Sequence, residues 1–82
     1  MKTAAKEILQ ALNTQTDPRY ASWLINRNWK RLGLYNVDEL VAEFLGPMEK
    51  AGLIAPTLGK SRVLYQITSA GRLALVVGGW GR

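Results

Sequence analysis

The side chains best equipped for chemistry in this chain are its cations. Of 82 residues, 11 are Lys or Arg and 6 are Asp or Glu, while Cys and His are both absent. Without a thiolate or an imidazole, the commonest nucleophile–base pairs and metal-ligand sets are missing. The carboxylates are scattered and not paired on any motif, so the chain is expected not to be an enzyme and to need no metal or cofactor. The cations are grouped. Arg19, Arg27, Lys30 and Arg31 surround Tyr20 and Trp23, and Lys60 and Arg62 follow Gly59. Cationic side chains laced with aromatic rings suit a nucleic acid or a second subunit, although core aromatics with a solvated basic fringe would read the same way.

The formal net charge is +5, and it is unevenly spread. Between Asn36 and Gly52, Asp38, Glu39, Glu43 and Glu49 face only Lys50, which leaves that segment at −3 and the remainder at +8. Such a split predicts an acidic flank and a basic one, and the basic flank is the candidate for a polyanion.

These residues must be positioned by a small set of elements. Eighty-two residues allow one small domain over 1–82 with a core only just sufficient, so a homodimer is plausible on size alone. The ends, 1–2 and 78–82, are expected to be flexible. No apolar run is long enough for a bilayer, and no signal-peptide core precedes the first helix, so neither a membrane partner nor export is expected and the address reads as cytoplasmic. From Thr3 to Leu12, Ala5, Ile8, Leu9 and Leu12 fall on one helical stripe. Asp17 before Pro18 predicts the N-cap and first residue of a second helix, through Arg19 to Leu32. A continuous helix there would set Ile25, Trp29 and Leu32 opposite Tyr20, Trp23 and Leu24. Either Asn26–Asn28 breaks it so that both sets turn inward, or one set is exposed for a partner.

The third helix carries the strongest periodicity. Asn36 is placed to cap it, and Val37, Leu40, Val41, Phe44, Leu45 and Met48 follow the i, i+3, i+4, i+7 rule. Phe44, like Tyr65 further on, is expected in the core. Pro47 should kink this helix or divide it into 37–45 and 47–52, because its ring opposes the Glu43 carbonyl. The face left outside is Asp38, Glu39, Ala42, Glu43, Gly46, Glu49 and Lys50. Gly52 stands where a left-handed C-cap belongs. Gly59 then supplies a turn that carries Lys60 and Arg62 at its tip, and Val63, Tyr65 and Ile67 alternate with Leu64 and Gln66 as a strand with one buried face. Thr68 and Ser69 are N-cap residues for a short apolar helix, Ala70 to Val77, stopped by Gly78-Gly79. That helix needs the first helix or a second chain to cover it, and Trp80 beyond it could anchor a dimer.

The order Leu-x-x-Met-x-x-x-Gly-Leu-Ile, a Lys/Arg-bearing hairpin, then Tyr-x-Ile-Thr-x-x-Gly-x-x-x-Leu resembles the winged helix-turn-helix domains of bacterial regulators of the MarR and PadR type, best over residues 36–77. The resemblance implies a small α+β fold with three helices, a β-hairpin wing and a short C-terminal helix. It also implies duplex DNA as partner and transcriptional regulation as role, with Arg19, Arg27, Lys30, Arg31, Lys60 and Arg62 on the phosphates. The third helix departs from that pattern. It is acidic where a major-groove reader would carry Arg, Asn, Gln, Ser or Thr, and carboxylates repel phosphate. The alternative is a winged helix that binds protein, such as an adaptor or inhibitor of a nucleic-acid-handling complex, through Tyr20, Trp23, Glu39, Glu43 or Trp80.

Overall fold

The computed structural model describes the backbone of residues 3–32 and 36–78, with side chains over 4–27 and 36–78. In chain order the elements are α1 (Thr3–Asn13), β1 (Arg19–Tyr20), α2 (Ala21–Leu32), α3 (Val37–Leu40), a π-helical turn (Val41–Leu45) and α4 (Gly46–Lys50). After these come β2 (Ile54–Leu58), β3 (Val63–Ile67) and α5 (Ser69–Val77). Since α3, the π turn and α4 run on without a gap, the architecture is four helices and a three-stranded antiparallel sheet, a mixed α+β domain.

The amphipathic stripe of α1 packs as its spacing predicts, with Ala5, Ile8, Leu9 and Leu12 all buried. Ile8, Leu9 and Leu12 meet Leu24, Leu40, Leu45, Met48, Ile54, Tyr65, Ile67 and Ala74 in one cluster. Phe44 is a correction. It is half-buried and packs on the edge of that cluster, because the wider π turn displaces it from the stripe that Leu40, Leu45 and Met48 occupy.

The second element differs from the sequence expectation. Asp17-Pro18 does not open a helix; Arg19 and Tyr20 form β1, paired antiparallel with β3 at Arg19–Tyr65 and Tyr20–Leu64. The helix begins at Ala21 and passes through 26–28 unbroken. A backbone ladder with a strand more than forty residues away has captured two residues that local signals assign to a helical first turn. The conflict between opposite apolar faces is thereby eased. Tyr20 leaves the helix altogether, Leu24 is buried, and Trp23 and Ile25 pack half-buried against the core. The side chains of Trp29 and Leu32 lie outside the described residues.

Pro47 produces neither a simple kink nor two separated helices. The Gly46 N–H donates to the Val41 carbonyl, five residues back, and Pro47 becomes an early residue of α4. One extra residue per turn moves the proline ring away from the Glu43 carbonyl, so the run survives. Gly46, expected on the outer face, is half-buried there, and a Cβ on it would stand 3.0 Å from the Val41 oxygen.

The joint between α4, β2 and α5 is hydrogen-bonded throughout. Gly52, at φ 77°, closes a Schellman cap in which its N–H donates to Glu49 O (3.0 Å) and the Leu53 N–H to Met48 O (3.0 Å). The Thr68 hydroxyl donates to Gly52 O (2.6 Å) and accepts from the Gly71 N–H (3.1 Å), capping α5 and tying it to the end of α4. Gly71 lets α5 lie directly on the Leu53 carbonyl. At the far end Gly78 caps α5 in the left-handed region, at φ 65°. α5 packs on α1 and β3 through Gly71, Ala74 and Leu75, and leaves Leu73, Val76 and Val77 largely exposed.

Candidate nucleic-acid interface

The pairing of β1 with β3 brings Arg62 of the hairpin to the start of α2. The same pairing sets the start of α2 beside the β2–β3 hairpin. The Arg62 guanidinium lies over the Tyr20 ring, 4.3 Å from its centroid, and Nη1 donates a long hydrogen bond of 3.5 Å to Ser22 Oγ. Arg62 is therefore turned back from the hairpin onto the β1–α2 junction. Lys60 is exposed in the hairpin loop.

Gly59 serves this hairpin by its small size. Its φ lies outside the left-handed region, but a Cβ would sit 2.7 Å from Arg62 O and 3.0 Å from Leu64 Cδ1. The Gly59 N–H donates to Arg62 O at 2.8 Å and closes the loop.

Arg19 and Arg27 share the ring of Trp23. Their guanidinium carbons stand 5.7 and 5.3 Å from its centroid; Arg27 reaches the ring from one turn further along α2, and Arg19 from β1. Arg19 also donates through Nε (3.0 Å) and Nη2 (2.7 Å) to Gln15 Oε1, which holds the guanidinium in one orientation. Gln66 Nε2 donates to Thr16 O (3.2 Å), fixing the connection between α1 and β1 against the sheet. Of the residues expected at the interface, Arg62 is joined to Tyr20, and Arg19 and Arg27 to Trp23, as two separate clusters, while Lys60 is exposed in the hairpin loop. Gln15 and Ser22 were missed, as nothing local distinguishes them from other polar linker residues. Lys30, Arg31 and Trp80 lie outside the residues whose side chains are described.

Asp38, Glu39, Glu43 and Glu49 are all exposed along α3, the π turn and α4. Asn36 caps α3, with Oδ1 accepting from the Glu39 N–H at 2.8 Å, so Asp38 and Glu39 stand in a first turn where carboxylates complement the helix dipole. The Tyr65 hydroxyl is held above its usual range, first by burial and then by the nearby Glu49 carboxylate. Among the described residues, no group of three or more acidic side chains is arranged to hold a metal ion, and no helix is long and apolar enough to cross a membrane.

No protein-family model, curated protein or solved structure matches this chain.

Proposed function

We propose that this chain is a small winged-helix protein that binds duplex DNA, a cytoplasmic regulator without enzymatic activity. The observation that carries the reading is the seating of three arginines on aromatic rings, Arg19 and Arg27 on Trp23 and Arg62 on Tyr20, with Lys60 exposed in the hairpin loop. The element order, three helical segments followed by a hairpin beside the third, is the order a winged helix requires, and the hairpin is its wing. In this reading the contacts are made by the wing and the start of α2. Guanidinium groups already oriented by aromatic rings and by Gln15 lose less side-chain freedom on meeting phosphate than free arginines would. The acidic third helix cannot take the usual reader's place in the major groove, so binding is sequence-tolerant and depends mainly on phosphate contacts.

Fluorescence anisotropy with mixed-sequence duplex DNA tests this directly. If three or four of the described cations reach phosphates, log affinity against log salt slopes at about −3. Flat titrations at low salt would refute it.

A second reading has its own support in the four exposed carboxylates of the third helix, which form a surface complementary to a basic protein. It predicts that replacing Glu39 and Glu43 with Gln weakens capture of such a partner.

A further inference from the structure

Between α3 and the β1–β3 side of the sheet lies an open groove of about 360 Å³. Ala21, Val37, Val41 and Val63 make it apolar, and Arg62 is the one charged side chain among its described lining residues. Val37 and Val63 stand partly open to solvent there, 37% and 38% exposed. The volume lies at the small end of the range for ligand sites, about 300–1,000 Å³. Arg62 is fixed at the groove by its stack on Tyr20 and engages only one long hydrogen bond, to Ser22, among the described residues. A guanidinium has five N–H donors in a fork matched to a carboxylate, so most of that capacity faces outward unused.

We infer that this groove binds a single-chain amphiphilic anion, an unbranched alkanoate whose tail lies along the valines and whose carboxylate pairs with Arg62. Charge selects the head group: the described lining offers one cation, Arg62, and no carboxylate. Branched aliphatic walls select the tail, which gains by removing water from Val37 and Val63. The inference shares Arg62 with the nucleic-acid reading, but its readout involves no DNA, so each can fail without the other.

The test is a titration of the full chain with butanoate, hexanoate, octanoate and decanoate, all below micellar concentration, followed by amide and methyl chemical shifts. Affinity is expected to rise by about fourfold per methylene until the groove is filled, and then to level. Shifts should centre on Ala21, Val37, Val41 and Val63. Octanol should bind about tenfold more weakly than octanoate, the loss expected for one charge-assisted pair. Arg62→Gln, at an exposed position, should bring octanoate down to the affinity of octanol and leave octanol unchanged, with an unaltered melting curve as the control for folding. Val37→Ser should weaken every member of the series. The proposal is overturned by affinity that does not change with chain length, by octylamine binding as well as octanoate, by shifts confined to Leu73, Val76 and Val77 on α5, or by no saturable binding at all.

Discussion

A methyl group on residue 71 would collide with the Leu53 carbonyl and press on Ile67. That carbonyl also accepts the Thr68 N–H at 3.0 Å, so it cannot move without loosening the start of α5. Gly71→Ala should therefore cost about 1–3 kcal/mol, as overpacked interiors do, seen as a lower urea midpoint. Gly52→Ala isolates a different cause. Nothing lies within 4 Å of a Cβ there, but the backbone is at φ 77°, and left-handed strain alone should cost about 1–2 kcal/mol. Tyr65 adds a pH dependence. Burial and Glu49 raise its folded pKa above the unfolded value of about 10, so its neutral form is favoured by folding. The associated stability is complete below about pH 10 and is lost as pH rises through the folded pKa. Melting temperature should fall across that alkaline window, and Tyr65→Phe should reduce the fall.

At the scale of elements, the π turn is where local chemistry and packing meet. Pro47 removes the N–H that would close an α-turn onto Glu43, and Gly46 allows the close approach to Val41 O that closes the wider turn instead. Pro47→Ala restores the donor and removes the ring, so Val41–Leu45 can close as ordinary α-helix. The expected outcome is altered Cα shifts confined to about residues 41–47 with a cooperative melt retained; unchanged shifts would show that packing of Leu45 and Met48, not the proline, holds the turn. The same geometry ranks the core. Leu45→Ala, at a fully buried position, should cost about 2–5 kcal/mol, and Phe44→Ala, half-buried beside it, should cost less despite its larger side chain. Chemical denaturation of the two variants decides the order.

For the whole molecule, the division of charge is the feature that separates the proposed partners. The exposed carboxylates of α3, the π turn and α4 stand on an element distinct from those bearing Arg19, Arg27, Lys60 and Arg62. Glu39→Gln with Glu43→Gln should raise affinity for duplex DNA if that flank approaches phosphate, and should weaken a basic protein complex by about 1–3 kcal/mol if the charges are buried in pairs. Anisotropy and calorimetry on the same double variant give opposite signs for the two readings. Much of this architecture was written in the chain itself. The buried stripe of α1, the Asn36 and Thr68 caps, the left-handed Gly52 and Gly78, and the burial of Tyr65 and Ile67 in β3, though not of Val63 on the same face, are specified within one or two turns or a few residues, so residue type and periodicity suffice to determine them. Three features were decided only by tertiary structure. β1 has two residues, too few for any period, and exists because β3 offers a free edge to it. Phe44 left the core because a π turn shifted its angle, an effect of packing on both sides of Pro47. Arg62 folded onto Tyr20, at the edge of the apolar groove, because strand pairing brought together side chains 42 positions apart, a separation across which sequence pattern carries no signal.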